Sequence, residues 1–145
     1  MLVIRVAERS DLPSILRLYI QPGMDDRALS IEEAEKIFSR MLTYPYYHLF
    51  VACDGEDVVG SFALLIMDNM AHQGAPSAIV EDVVVDQKRH GQGIGKQMMI
   101  HARNIARDAH CYKVTLSSNI KRKGAHAFYE SLGFALHGYS FYTDV

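Results

Sequence analysis

The stretch that decides the fold runs from Ile79 to Ala109 and reads IVEDVVVDQKRHGQGIGKQMMIHARNIARDA. Its first part is apolar and β-branched, with three valines in succession at 83–85, and predicts a buried strand. A polar segment over residues 86–90 is typical of a turn, and glycines then alternate with other residues at 91, 93 and 95. Beyond them, apolar residues recur with a period close to 3.6, which predicts a long amphipathic helix. These residues are Ile94, Met98, Ala102, Ile105 and Ala109.

The glycine-rich turn predicts a phosphate site, because a helix N-terminus offers unpaired N–H groups and the positive end of the helix dipole. Spacing excludes the two commonest phosphate motifs. A P-loop needs glycine where His90 stands and Ser or Thr where Gln97 stands, and a dinucleotide fingerprint needs glycine where Lys96 stands. The remaining pattern is Gly91-x-Gly93-x-Gly95.

Length and composition narrow the classes of protein. At 145 residues the chain is expected to form one domain, 1–145. The net charge of −2, with no block of one sign, argues against nucleic acid as a partner. Apolar runs are too short to span a membrane, and the N-terminus lacks the features of a signal peptide. Two isolated cysteines indicate buried thiols of a cytoplasmic protein, and the seven histidines lack metal-ligand spacing.

Outside the central stretch, the pattern predicts strands over residues 2–6, 48–53, 58–67 and 112–116, and two short strands within 134–145. Ser10 or Asp11 is expected to cap a first helix, and Ser30 with Glu33 forms a capping box for a second. A further helix is expected to follow Gly124, and Gly60 predicts a bulge or a close approach within its strand. The element order implies an α/β fold, with a mixed, mostly antiparallel sheet and helices on both faces.

Four segments together resemble the Gcn5-related N-acetyltransferase (GNAT) superfamily along essentially the whole chain. They are EDVVVD (81–86), the glycine turn, CYKVTL (111–116) and AHAFYESLGF (125–134). The resemblance implies a single GNAT domain that uses acetyl-CoA, whose pyrophosphate the turn would hold. This sequence departs from the family pattern at His90, where the family usually has Arg or Gln. The residues that the resemblance places on the coenzyme are Val83, Val84, Val85, His90, Gly91, Gln92, Gly93, Ile94, Gly95, Lys96, Asn119 and Tyr129.

The resemblance also implies catalytic roles. Backbone N–H groups of the valine strand would polarise the thioester oxygen, and Tyr129 would act as the general acid for the leaving thiolate. Asn119 resembles the family's side-chain amide partner of the pantetheine arm, although its spacing from the helix motif is longer than usual.

Removing a proton from the attacking amine calls for a carboxylate, and Glu81 and Asp82 are the two candidates. Alternation along a strand places them on opposite faces unless a bulge intervenes. Glu81 is favoured because it lies two residues before Val83 on the same face. The motif itself does not decide between Glu81, Asp82 and a base that acts through water.

The acceptor is narrowed only by a local likeness. The segment LSSNIKRKGAHAFYESLGF (116–134) is similar to the tail of aminoalkylphosphonate N-acetyltransferases, and EDVVVD with CYKVTL resembles glucosamine-6-phosphate N-acetyltransferases. Lys121, Arg122 and Lys123 would then serve an acceptor's phosphorus oxyanion or, equally, the 3′-phosphate of the coenzyme. Asp25 and Asp26 lie where the family often lines its acceptor pocket, and a solvated loop is the plainer interpretation.

The sequence therefore predicts an acetyl-CoA-dependent N-acetyltransferase that acts on the primary amine of a small metabolite. It is expected to bind neither nucleic acid nor a metal and, by family habit, to form a homodimer through its last strands. A protein N-acetyltransferase and a catalytically idle acyl-CoA-binding module are the alternatives.

Overall fold

The computed structural model describes all 145 residues, which form two compact units, residues 1–115 and 116–145. The first unit contains one five-stranded sheet, with its strands in sequence order from one edge to the other. The strands are Leu2–Val6 (β1), Tyr47–Asp54 (β2), Asp57–Met67 (β3), Ser77–Val85 (β4) and Val114–Thr115 (β5). Strands β1 to β4 pair antiparallel, and β5 pairs parallel to β4. The predicted α/β class with a mixed, mostly antiparallel sheet is confirmed.

Three α-helices accompany the sheet in the first unit: Leu12–Tyr19 (α1), Ile31–Met41 (α2) and Ile94–Asp108 (α3). The capping box before α2 is confirmed, since the Ser30 side chain accepts from the Glu33 N–H and the Glu33 carboxylate accepts from the Ser30 N–H. Asp11 precedes α1 but does not cap it. Its carboxylate instead accepts two hydrogen bonds from Arg5, at 2.7 and 2.9 Å, and one from the Glu8 N–H.

Helices cover both faces of the sheet because its apolar side chains alternate. Leu49 and Val51 of β2 belong to a buried cluster with residues of α1 and α2. Phe50, between them, faces the other way: its ring stacks on Phe62 at 5.0 Å and lies 5.6 Å from the ring of His101 in α3.

Gly60 marks the place where α3 comes closest to the sheet. A Cβ built there would lie 2.8 Å from Met98 Sδ, 3.2 Å from the carbonyl oxygen of Val84 and 3.4 Å from a side-chain carbon of Ile94. The register between β2 and β3 also shifts by one residue beside it, which leaves Val59 as an extra residue. Both the bulge and the close approach predicted from Gly60 are therefore present.

The second unit holds one helix, Lys123–Ser131 (α4). The helix stops just before Gly133, whose φ of +89° only glycine adopts easily. The prediction of two short strands within 134–145 was wrong, since these residues form no strand and those after Phe134 are exposed. The strand predicted over 112–116 is also shorter, because only Val114–Thr115 pairs with β4. Alternating aromatic residues indicated strands, but pairing requires a sheet edge that sequence periodicity does not specify.

Both cysteines are free, with Cys53 buried in β2 and Cys111 partly buried after α3. None of the helices combines the length and apolar character needed to cross a membrane.

Candidate functional site

The turn between β4 and α3 exposes a row of backbone N–H groups. Gly91 and Gly93 both have a φ of +79°, and a Cβ on either would meet no atom within 4 Å. Glycine is needed there for its backbone conformation and not for space. No N–H group from Gly91 to Lys96 finds an acceptor within the chain, and the first bond of α3 runs from the Gln97 N–H to the Gly93 carbonyl at 3.1 Å. Such an array at a helix N-terminus suits an anion.

Polar contacts hold the segment before this turn on several sides. A short 3₁₀ helix, Gln87–Arg89, is capped by the Asp86 side chain, which accepts from the Lys88 N–H at 2.9 Å. The Arg89 guanidinium pairs with Asp54 at 2.9 Å. The ring of His90 lies 3.0 Å from the Val85 carbonyl through Nε2. His90 thus contacts the backbone of β4. The cation next to the unpartnered N–H groups is Lys96, which is exposed at the start of α3.

A bulge in β4 lies at the two candidate bases and changes which residues of the strand share a face. Glu81 pairs with Ala63 and Val84 pairs with Ser61, so two residues of β4 face one residue of β3. The extra residue begins at Asp82, whose φ is +52°. The expectation that Glu81 shares a face with Val83 was wrong, because the bulge shifts the alternation. Val84, buried beside Ala63 in the cluster under α1 and α2, takes that place.

Two tyrosines lie within electrostatic reach of these carboxylates, and after desolvation the charge of Asp82 raises the pKa of Glu81 and of both phenols. Both carboxylates are exposed to solvent, yet partial desolvation raises the pKa of each. The charge of Asp82 adds to this effect for Glu81, and the charge of Asp25 adds to it for Asp82. Desolvation and then Asp82 raise the pKa of Tyr19, and desolvation followed by Asp82 and Glu81 raises the pKa of Tyr47. Raised carboxylate pKa values make better proton acceptors, which suits a general base.

In the second unit, Tyr129 is half-buried on α4, with its ring 5.2 Å from that of Phe128 and 5.9 Å from that of Phe134. Burial raises its pKa against the opposing effect of Arg122, so the phenol keeps its proton at neutral pH. Asn119 accepts two hydrogen bonds from the residues that lead into this helix. Its Oδ1 accepts from the Lys121 N–H at 2.9 Å, and its carbonyl accepts from the Arg122 N–H at 2.9 Å. The cations of 121–123 are exposed around this helix start.

Sequence reasoning missed three residues that shape this region. Nothing in the sequence placed Tyr19 or Tyr47 near the candidate bases, yet both lie within the electrostatic reach of Asp82. A phenol on an otherwise apolar face is a usable signal, because a buried hydroxyl needs a polar neighbour. Gln21, whose side chain contacts both α1 and the 3₁₀ helix before the glycine turn, carries no comparable signal. The chain holds no group of three or more His, Cys, Asp or Glu side chains arranged for a metal ion.

Comparison with known proteins gives evidence on the family that does not depend on this geometry. A model of the acetyltransferase (GNAT) family matches residues 12–134. Among curated proteins, glucosamine 6-phosphate N-acetyltransferase of Trypanosoma brucei brucei is 34% identical over 136 residues, which cover 94% of this chain and 90% of that protein. Aminoalkylphosphonate N-acetyltransferase of Salmonella typhimurium is 36% identical over 97 residues, 67% of this chain and 62% of that protein. A solved structure from Agrobacterium tumefaciens superposes with a TM-score of 0.92 at 36% identity, covering 99% of both chains.

Proposed function

The chain belongs to the GNAT family of acetyltransferases and is an N-acetyltransferase, and from that premise we propose which donor, acceptor and residues it uses. The donor is acetyl-CoA, and the acceptor is the primary amine of a small metabolite, which attacks directly while both substrates are bound. The observation that carries this proposal is the row of unpartnered N–H groups from Gly91 to Lys96, directly after the strand with Glu81 and Asp82.

The residues of the turn fit the anionic part of acetyl-CoA. Their N–H groups lack acceptors in the chain, the positive end of the α3 dipole lies behind them, and Lys96 adds a cation. When bound, acetyl-CoA supplies an activated acetyl thioester. We assign polarisation of the thioester oxygen to main-chain N–H groups of 83–85, which directly follow the bulge at Asp82.

Proton transfer falls to three side chains. The reacting amine must lose a proton, and an alkylammonium has a pKa of about 10, by analogy with lysine. We assign removal of that proton to Glu81, with the neighbouring Asp82 as the alternative. The pKa of each carboxylate is raised, which makes it a better proton acceptor. Tyr129 keeps its phenol proton at neutral pH and is assigned as the acid for the departing sulfur. Asn119 is assigned to the pantetheine arm.

The acceptor class follows that of the relatives, which are N-acetyltransferases of glucosamine 6-phosphate and of aminoalkylphosphonates. We propose an amine of this kind, with a phosphate or phosphonate in the same molecule. The exposed cations at 121–123 are assigned to that anion or to the 3′-phosphate of the coenzyme.

An assay of thiol release from acetyl-CoA tests this proposal. The amine panel contains aminoalkylphosphonates, amino sugars and their phosphates, polyamines, amino acids and short peptides. We expect turnover on an amine that bears a phosphate or phosphonate. Turnover on peptides alone would instead support a protein acetyltransferase. No turnover on any amine, with coenzyme A still stabilising the fold, would support an acyl-CoA-binding module.

Tyr129→Phe tests the assignment of the acid. The substitution removes the phenol proton but keeps the ring between Phe128 and Phe134, so kcat is expected to fall by roughly 100-fold while the Kd for coenzyme A stays the same. Steady-state kinetics and calorimetry measure the two quantities. Unchanged kcat would transfer protonation of the thiolate to solvent.

A homodimer is part of the same proposal. The side chains of Tyr139, Phe141 and Tyr142 are 88, 90 and 92% exposed, more aromatic surface than a monomer usually leaves in water. The mass of the particle in solution, measured by light scattering, is expected to be twice 16.3 kDa. A mass of one chain would contradict it.

A further inference from the structure

One side chain connects the end of α1 to the segment that leads into the glycine turn. The Gln21 amide donates from Nε2 to the Leu18 carbonyl at 2.6 Å. Its Oε1 accepts the N–H of Gln87, the first residue of the 3₁₀ helix, at 3.1 Å across 66 positions of sequence. The two bonds require opposite ends of one amide, so only a side chain with both a donor and an acceptor makes them together.

The same residue also begins the segment that carries Asp25. The Gln21 carbonyl accepts the Met24 N–H at 3.1 Å, and the Asp25 N–H donates to the Tyr19 carbonyl at 3.0 Å. Desolvation and, after it, the charge of Asp25 raise the pKa of Asp82. Gln21 therefore contacts, through its side chain, the 3₁₀ helix that precedes the glycine turn and, through its carbonyl, the segment that carries Asp25.

We propose that Gln21 is a positioning residue of the acetyltransferase: it holds the Gln87–Arg89 helix, and thereby the Gly91–Gly95 turn, against the end of α1. The inference rests on the proposed function in one respect, the assignment of that turn to the coenzyme. The Arg89–Asp54 pair restrains the 3₁₀ helix from the β2–β3 hairpin, and Gln21 restrains it from α1. Losing one of these restraints leaves the turn less ordered before it binds, which weakens binding without touching the ligand.

The test uses coenzyme A as the probe and Gln21→Met as the variant, because methionine keeps the length of the side chain and makes neither bond. We expect the Kd for coenzyme A, measured by calorimetry, to rise roughly three- to tenfold, the range for one hydrogen bond. Exchange of the Gln87, Arg89 and His90 amides should accelerate, since the first donates to Gln21 and the other two bond within the 3₁₀ segment.

Thr43→Val is the matched control. The Thr43 hydroxyl donates to the Arg40 carbonyl at 2.7 Å, so it caps the end of α2 much as Gln21 caps the end of α1, but it does not reach the turn. This variant is expected to lower the Tm without changing the Kd. If Gln21→Met behaves the same way, Gln21 is only a helix cap and the inference is overturned.

Gln21→Glu separates the two bonds, because a carboxylate accepts the Gln87 N–H and cannot donate to the Leu18 carbonyl. At high salt, where its charge is screened, its Kd should lie between those of wild type and Gln21→Met, with the Gln87 amide protected. If wild type fails to bind coenzyme A, the proposed function fails. Amide exchange then still decides the inference, since unchanged protection of Arg89 and His90 in Gln21→Met would overturn it.

Discussion

The glycine turn before α3 and the bulge in β4 both contain backbone with positive φ, but they reach it with different residues. The turn uses Gly91 and Gly93, at +79° each, and the bulge uses Asp82, at +52°. The turn presents only main-chain N–H groups, so a residue without a side chain serves it best. The bulge presents carboxylates, so it needs a side chain and accepts an unfavourable conformation, which Asp tolerates better than most residues. The chemistry each part supplies thus decides whether glycine can occupy the strained position.

The largest expected effect comes from removing the function of a side chain at the bulge. Glu81→Gln should lower kcat by about 100-fold, the lower range for loss of a general base. The base works only when deprotonated and its pKa is raised, so the wild-type rate should fall on acidification at a higher pH than for an ordinary glutamate. This acid limb should vanish in Glu81→Gln. If it persists there and disappears in Asp82→Asn, the role belongs to Asp82.

The second effect comes from removing the conformational freedom of the turn. Gly93→Val places a β-branched residue at a φ of +79°, so the turn should abandon its conformation and the N–H array with it. The Kd for coenzyme A, measured by calorimetry, should rise by roughly 10- to 100-fold. Asp82→Asn is the comparison, since it changes the bulge chemistry and should leave this Kd unchanged. Equal losses in both variants would show that the two regions do not act separately.

The sequence predicted these two regions unequally. Gly91, Gly93 and Gly95 mark the turn in the sequence because glycine has few other uses at the start of an amphipathic helix. Nothing in EDVVVD marks a bulge, since Asp82 is an ordinary residue and the register shift arises from pairing with β3, which is distant in sequence. The same limit explains the strands wrongly predicted within 134–145, where the local pattern favours strands and no partner strand is present.

A third variant tests the packing of α3 against the sheet at Gly60, which lies next to both the bulge and the start of α3. Gly60→Ala puts a Cβ close to Met98 Sδ, to the Val84 carbonyl beside the bulge and to Ile94 at the start of α3. Overpacking of this kind should lower the free energy of unfolding by about 1–3 kcal/mol in urea titrations. Gly124→Ala is the control, because its Cβ meets nothing within 4 Å and alanine is the better helix former, which should stabilise by about 0.5–1 kcal/mol. A neutral Gly60→Ala would mean that α3 moves away from the sheet at little cost.

The smallest expected effect is the difference between two variants that measures the backbone strain at Asp82. Asp82→Gly and Asp82→Ala both remove the carboxylate, but only alanine keeps a Cβ at a φ of +52°. The glycine variant should therefore be more stable than the alanine variant by about 1 kcal/mol in urea titrations. The reverse order would show that the bulge relaxes to a negative φ once the carboxylate is gone.

The buried position of Cys53 has a practical consequence for the enzymology. Desolvation raises the pKa values of both Cys53 and Cys111, and the thiolate is the form that attacks electrophilic reagents. Both sulfurs are therefore poor nucleophiles near neutral pH and should react slowly with a disulfide dye. The colour that develops during turnover then reports coenzyme A set free by acetyl transfer, and enzyme alone gives a low, slowly rising background.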